Sequence, residues 1–193
     1  MTASPPSPHT SPAGSPHGLP AQYDAAATER EVAQRWQDAN AFAADASRSR
    51  RAGGTHDPFV IFMPPPNVTA VLHVGHGLTM TVQDVLIRWR RMAGDDTLYQ
   101  PGTDHAGIAT QHVVEKLLAA EGTTRRAIGR EAFVARTTAF VEETGGIIVE
   151  QLRAIGVSAD WSRLAYTLSP ALSRAVREAF VRLFDEGLIY RGQ

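Results

Sequence analysis

Residues 59–77 read FVIFMPPPNVTAVLHVGHG, and this stretch decides the fold of the 193-residue chain. Phe59 to Met63 form a short apolar run with two β-branched members, which predicts a buried strand of the kind found in parallel sheets. Pro64, Pro65 and Pro66 end the strand, because proline cannot donate a hydrogen bond to a β-ladder. A buried strand therefore leads into a rigid loop.

A helix and a second strand follow this loop. Apolar residues recur at steps of three and four, which predicts a helix over 74–92 with a core-facing stripe, formed by Val74, Leu78, Val82, Val85, Leu86 and Trp89. Gly94 closes the helix, and residues 96–100 are a second strand candidate that ends at Pro101-Gly102. Residues 59–100 are thus predicted to form one βαβ unit.

Helical spacing recurs elsewhere along the chain: from near Tyr23, at 108–120, at 130–155, and between Ser169 as N-cap and Gly187. The third of these segments is expected to be interrupted at Gly145-Gly146. The predicted fold class is therefore α/β, with an N-terminal helix and additional C-terminal helices.

Composition narrows the function classes. The chain carries 19 basic and 20 acidic residues, which argues against a protein whose main role is to coat nucleic acid. It has no cysteine, which excludes thiol chemistry and favours a reducing cytoplasmic location. No apolar run is long enough to span a membrane. Residues 1–21 are rich in proline and serine, and we expect a disordered tail there.

The first candidate site lies where the proline loop meets the helix. A helix N-terminus after a parallel strand attracts anions, and free backbone N–H groups there are expected to point at the ligand. His73 and His76 lie three residues apart on one helix face and are able to donate to phosphate oxygens, while Gly75 allows close approach to the backbone. The alternative is a helix start with two surface histidines. A zinc site is a weak rival, because no third ligand lies nearby.

The second candidate site is the loop QPGTDHAGIATQ at residues 100–111, which follows the second strand. Loops after neighbouring parallel strands meet at one edge of the sheet, where open α/β sheets bind ligands. Asp104 is a carboxylate able to hold an ammonium group, but the residue taken alone is better explained as the N-cap of the helix near Ile108. His105 is a candidate ligand residue or a polar turn residue, and the sequence leaves this open.

Several segments in one order carry a resemblance to a known family: PPPNVTAVLHVGH, TVQDVLIRWRRM, YQPGTDHAGIATQ, ADWSR and AVREAFVRLFDEGLIYRG. The chain from residue 22 to 193 resembles the class I aminoacyl-tRNA synthetases and, among them, the valyl-tRNA synthetases. His73-Val74-Gly75-His76 matches the HIGH signature of that family. The resemblance implies that residues 22–193 are the first, HxGH-containing half of a Rossmann-like catalytic domain and the start of the region inserted into it. It also implies that the sheet is incomplete in this chain.

The resemblance also implies a reaction, the ATP-dependent activation of valine and its transfer to valine tRNA. The substrates would be valine, tRNA and ATP with Mg²⁺, and no residue is assigned to a metal. The residues that match the family motif are His73 and His76 as catalytic residues, Thr69, His73, Gly75 and His76 as ATP contacts, and Pro65, Asn67 and Asp104 as amino-acid contacts.

Departures from the family pattern raise alternatives. The family uses a lysine-rich KMSKS loop on the pyrophosphate, whereas the only lysine here is Lys116. The editing and anticodon-binding domains and most tRNA-binding regions are also missing, so we expect a truncated chain that is incomplete alone, with a complementary C-terminal half as a possible partner. Ala70 replaces a family glycine, and Gly77 replaces a small residue. The alternatives are a non-catalytic paralogue or split subunit that binds ATP, valine or a partner protein, and a different HxGH nucleotidyltransferase.

Overall fold

The computed structural model describes residues 22–50 and 53–192, so the tail expected at 1–21 lies outside the described residues. The described residues divide into two compact units, one that ends at Ala41 and one that begins at Phe42. In the first unit, helix α1 spans Ala25–Asp38, and the side chain of Asp24 accepts a hydrogen bond from the Ala27 N–H to cap it. The helix predicted from near Tyr23 is therefore confirmed.

The second unit is built on a βαβ element. Strand β1 spans Pro58–Phe62, helix α2 spans Val74–Met92 and strand β2 spans Asp96–Gln100. The two strands pair in parallel, from Pro58 opposite Asp96 to Phe62 opposite Gln100. The α/β unit read from residues 59–100 is confirmed, with strand and helix bounds within one residue of the prediction.

Strand β2 is the central strand, and the chain along its other edge is also paired. After β2 the chain continues as β3, Gly102–Thr103, which pairs in parallel with β4, Ala165–Tyr166. Neither of these two short strands was predicted, because two residues are too few to show an alternating pattern.

Backbone hydrogen bonds show that the two partners lie on opposite sides of the central strand. The carbonyl of Gln100 accepts from Met63 N–H, whereas the carbonyl of the next residue, Pro101, accepts from Ala165 N–H. Successive carbonyls of a strand point to opposite edges. The loop after β2 is thereby placed between the loop after β1 and the chain at β4.

The remaining helices and 3₁₀ turns surround this element: α3 at Gly107–Ala120, α4 at Arg125–Ile128, α5 at Arg130–Ala154, α6 at Pro170–Asp185, and 3₁₀ turns at Ala46–Arg48 and Trp161–Arg163. Helix α5 is continuous, so the interruption predicted at Gly145-Gly146 is wrong. A glycine costs about 1 kcal/mol in a helix interior, and the burial of Ile148 and Leu152 on the same helix offsets this cost.

The core lies between the β1–β2 sheet, α2 and α5. Its buried members are Met63, Val68, Met80, Ile87, Tyr99, Ile148, Leu152, Val157 and Ala159. None of the helices within 22–50 and 53–192 combines the length and the hydropathy that a membrane span needs.

The orientation of α2 differs from the prediction. The six residues of the expected core-facing stripe are all exposed, from 43% at Leu86 to 90% at Val74. The side that faces the core instead carries Met80, Asp84 and Ile87. Apolar residues occupy both sides of this helix, so periodicity alone could not indicate which side packs on the sheet. We call the exposed set, Val74, Leu78, Val82, Val85, Leu86 and Trp89, the outer stripe.

Candidate functional site

Two histidines form the cap of helix α2. His73 is the N-cap residue, and its Nδ1 accepts from the backbone N–H of Gly75 at 3.1 Å. The Nδ1 of His76 accepts in return from the backbone N–H of His73 at 3.2 Å. The ring centroids lie 4.0 Å apart. The pair has the reciprocal geometry of a capping box, in which two imidazoles replace the usual hydroxyl and carboxylate.

This cap determines where each ring carries its proton. A nitrogen that accepts a hydrogen bond carries no proton, so each neutral ring holds its proton on Nε2. Burial, and secondarily the charge of His73, lower the pKa of His76, which favours the neutral form. Neither Nε2–H has a hydrogen-bond partner within the described residues. Both are therefore available as donors to a ligand.

The backbone at the start of α2 offers fewer donors than expected. The Gly75 N–H is bound by the His73 ring, and the N–H groups of His76 and Gly77 donate to the carbonyl of His73. A Cβ on Gly75 would lie 2.9 Å from the His73 ring. Glycine is therefore required at position 75 because the His73 ring packs against the backbone there. The expected role of Gly75, close approach of a ligand, is not needed to explain it.

The loops after β1 and β2 meet as predicted. Asn67 and Asp104 form a parallel bridge, in which Asp104 N–H donates to the carbonyl of Pro66 at 2.8 Å and Val68 N–H donates to the carbonyl of Asp104 at 2.9 Å. Pro65 lies close to Gly102, two residues before Asp104, because a Cβ on Gly102 would be 3.8 Å from the Pro65 ring. Three residues assigned to the amino-acid pocket therefore lie together.

Asp104 is not the N-cap of helix α3. That helix begins at Gly107, and its N-cap residue Ala106 makes no side-chain cap. The Oδ1 atom of Asp104 accepts instead from Ala106 N–H at 3.0 Å and from the hydroxyl of Thr167 at 2.9 Å. Ala106 itself has φ of 51°, a left-handed conformation that is strained for a residue with a Cβ.

Thr167 and Tyr166 belong to this site, although no sequence signal singled them out. The Thr167 hydroxyl also lies 2.6 Å from Nδ1 of His105, and the His105 ring meets the Tyr166 ring edge-on at 6.3 Å. Burial, followed by the charge of Asp104, raises the pKa of Tyr166. A pairing that spans more than sixty residues leaves no local pattern, so only the three-dimensional structure shows it.

A cavity of about 1050 Å³ adjoins this loop. His105, Thr103 and Tyr166 line one part of it, and Arg126 and Phe133 are among the residues on the other. His105 is thus a residue of a concave site and not simply a polar turn residue. The lining combines apolar side chains with many polar and charged ones, among them three arginines and a glutamate.

Two further assigned positions are simple to place. Thr69 is half-buried in the turn that follows the Asn67–Asp104 bridge, and its hydroxyl has no partner within the described residues. Ala70 is exposed and is not among the non-glycine residues with positive φ. Alanine at this position therefore carries no backbone strain.

Within the described ranges, no group of three His, Asp or Glu side chains could hold a metal ion. The mechanism proposed below therefore contains no step at a protein-bound magnesium ion.

Comparison with known proteins identifies the class. The model of the family "tRNA synthetases class I (I, L, M and V)" matches residues 31–193. The chain belongs to this family of class I tRNA synthetases.

Curated relatives of the chain at about 50% identity are valine–tRNA ligases. The enzyme of Granulibacter bethesdensis is 53% identical over 174 residues, which cover 90% of this chain and 19% of the relative. The enzyme of Thermus thermophilus is 51% identical over 173 residues, with the same coverage. The chain therefore spans about a fifth of the length of these relatives.

A solved structure has the same fold. The ternary LeuRS–tRNA–LeuAMS complex of Agrobacterium radiobacter K84 matches with a TM-score of 0.72 at 23% identity, over 89% of this chain and 19% of that chain. This likeness shows the fold, a mixed α/β arrangement of a class I synthetase.

Proposed function

We propose that this chain forms the HxGH half of the active site of a valine–tRNA ligase, which binds ATP and valine for the formation of valyl-adenylate and the charging of tRNA. The observation that carries the proposal is the pair of histidines at the start of α2, whose Nδ1 atoms accept backbone hydrogen bonds and whose Nε2 atoms have no partner within the described residues. The valine–tRNA ligases among its relatives support the choice of amino acid.

The His73–His76 pair would act on the phosphates of ATP. The valine carboxylate attacks the α-phosphorus, a P–O bond forms, and the bond from this phosphorus to the bridging oxygen breaks as pyrophosphate leaves. Negative charge on the phosphoryl oxygens is stabilised by the two Nε2–H donors and by the positive end of α2. No proton has to be removed from the enzyme, so the contribution of the protein is positioning and electrostatic stabilisation. Thr69 and Gly75 complete the ATP contacts.

The Asn67–Asp104 bridge would hold valine. Asp104 pairs with the α-ammonium group, as a carboxylate prefers a cation. Pro65 and Asn67 form the wall of the side-chain pocket, and the ring of Pro65 makes that wall stiff. Because the two loops follow adjacent parallel strands, the amino acid and the nucleotide would meet at one edge of the sheet.

One observation favours a second candidate, a non-catalytic or split subunit. The single lysine of the sequence, Lys116, is exposed on α3. The chain thus has no lysine-rich loop to bind the leaving pyrophosphate, and a complementary C-terminal half would supply it together with most of the tRNA contacts. The absence of cysteine supports a cytoplasmic location for the protein.

Valine-dependent exchange of pyrophosphate into ATP tests the proposal, with Asp104→Ala as the control variant. We expect the 193-residue chain to bind valine and ATP in calorimetry and to show no exchange above the control. Exchange above the control would make the chain an enzyme on its own and would exclude the binding-only candidate. A chain that binds neither ATP nor valine would contradict the proposal.

A further inference from the structure

Thr167 lies at the end of β4, on the far side of the central strand from Asn67. Its backbone N–H donates to the carbonyl of Thr103 at 3.2 Å, so the position of its side chain follows from the β3–β4 pairing. The hydroxyl points at the turn that begins with Asp104. Thr167 therefore joins two segments that are 63 residues apart in the sequence.

The Thr167 hydroxyl has three neighbours, and its own bonding capacity fixes their roles. A hydroxyl has one proton to donate and two lone pairs. Oδ1 of Asp104, at 2.9 Å, is a carboxylate oxygen and can only accept, so the proton goes there. The two lone pairs then accept from the backbone N–H of His105 at 3.0 Å and from its Nδ1 at 2.6 Å.

The ring of His105 must consequently donate through Nδ1. Two acceptors face that nitrogen, the Thr167 oxygen and, at 3.4 Å, Oδ1 of Asp104. A neutral ring with its proton on Nδ1 has an unprotonated Nε2, which has no hydrogen-bond partner within the described residues. This is the opposite arrangement from His73 and His76, whose protons lie on Nε2.

The two carboxylate oxygens of Asp104 differ in their hydrogen bonds. Oδ1 is occupied by Ala106 N–H and the Thr167 hydroxyl, with Nδ1 of His105 nearby. Oδ2 accepts no hydrogen bond within the described part of the chain. Asp104 is thus held by one oxygen and presents the other.

We infer that Thr167 is a positioning residue of the amino-acid site. Its hydroxyl orients Asp104 so that Oδ2 receives the ammonium group, and it holds His105 in the Nδ1–H tautomer so that Nε2 is a second acceptor at the same loop. This inference rests on the proposed function, in which Asp104 binds the α-ammonium of valine. The strained φ of Ala106 belongs to the same arrangement, because its N–H is bound by Oδ1.

The first test is a direct measurement of the tautomer. We propose nitrogen-15 NMR of the histidine-labelled chain at about pH 8, where imidazoles are mostly neutral, with a His105→Gln variant to assign the signal. The wild-type ring should carry its proton on Nδ1. Thr167→Val should move the equilibrium toward Nε2–H, and Thr167→Ser should keep the wild-type form. A wild-type ring protonated on Nε2 overturns the inference without reference to any variant.

The second test is the affinity for L-valine, measured by calorimetry on the same set. Thr167→Val should bind L-valine about tenfold more weakly than wild type, because it loses a hydrogen bond to a charged group. Thr167→Ser keeps the hydroxyl and should have the wild-type affinity. Thr81→Val, which removes an exposed hydroxyl from α2, is the matched control and should bind as wild type does. Equal affinity for wild type and a folded Thr167→Val overturns the inference.

The two readouts separate the inference from the proposed function. A wild-type chain that binds no valine counts against the proposed function. The tautomer measurement still decides whether Thr167 organises Asp104 and His105, since it needs no ligand.

Discussion

Nδ1 of His76 accepts a hydrogen bond from the backbone N–H of His73, so the two rings proposed to bind phosphate also hold the first turn of α2 together. The same nitrogen cannot accept this bond once it is protonated. The helix cap thus depends on the neutral form of the ring, whereas Nε2–H is a donor in both protonation states.

The stability of the chain should depend on pH through His76. Burial lowers its pKa below the ordinary value of about 6.5. Between the folded and the unfolded pKa, the unfolded chain binds a proton that the folded chain does not. The free energy of unfolding should therefore be at its full value above the ordinary pKa. It should decrease as the pH falls from the ordinary pKa to the lowered pKa of the folded chain. Thermal unfolding across that range should show a weaker pH dependence for His76→Gln than for wild type, whereas His112→Gln, at an exposed site on α3, should behave as wild type. A His76 signal that titrates at or above the ordinary value would contradict the argument.

Gly75 and Gly77 should respond differently to alanine. A Cβ at Gly75 would lie 2.9 Å from the His73 ring, whereas a Cβ at Gly77 would meet nothing within 4 Å. Gly75→Ala must displace the ring and lose the cap, at a cost of about 1 kcal/mol. Gly77→Ala should be neutral or stabilising by up to about 1 kcal/mol, because alanine is the better helix former. Urea unfolding of both variants measures the difference, and equal effects would exclude the ring position described here.

Ile87 and Leu86 are neighbours on α2 that test which side of the helix packs on the sheet. Ile87 is fully buried and Leu86 is 43% exposed. We expect Ile87→Ala to lower the free energy of unfolding by about 3 kcal/mol and Leu86→Ala by less than about 1 kcal/mol. A larger loss at Leu86 would restore the outer stripe as the core face.

Asp84 should be the most sensitive polar residue of α2. Its buried carboxylate accepts from the backbone N–H of Ser158 at 3.0 Å and from Nε of Arg88 at 2.7 Å. Asp84→Ala leaves these donors without their acceptor and should cost about 3 kcal/mol. The exposed pair Glu178–Arg182 gives the control, since Glu178→Ala should cost less than about 1 kcal/mol. Chemical unfolding of both variants would contradict this account if the two losses were similar.

The βαβ element was predictable because its signals are local. The run at 59–63, the prolines and the helical spacing of 74–92 each act within one element, and the family motif at His73 and His76 lies within four residues. The meeting of Asn67 and Asp104 was also predictable, because loops after adjacent parallel strands share an edge.

The features that were missed depend on distant partners. The β3–β4 pairing, and Thr167 with it, joins segments about sixty residues apart and leaves no periodic pattern. The buried side of α2 was misassigned because the helix is apolar on both sides, and a buried aspartate lies on the side that packs. The capping role of the histidines could have been predicted from the sequence, because their spacing is that of a capping box.

The most direct test of the central claim is binding of a non-hydrolysable valyl-adenylate analogue to the 193-residue chain. This ligand carries the ammonium group, the valine side chain and the adenylate in one molecule, so it engages both halves of the site. We expect measurable binding in calorimetry and a loss of at least about tenfold for Asp104→Asn, which removes the charge facing the ammonium group. His112→Gln should bind as wild type does. An analogue that binds equally well to wild type and to Asp104→Asn, or that does not bind at all, would contradict the account.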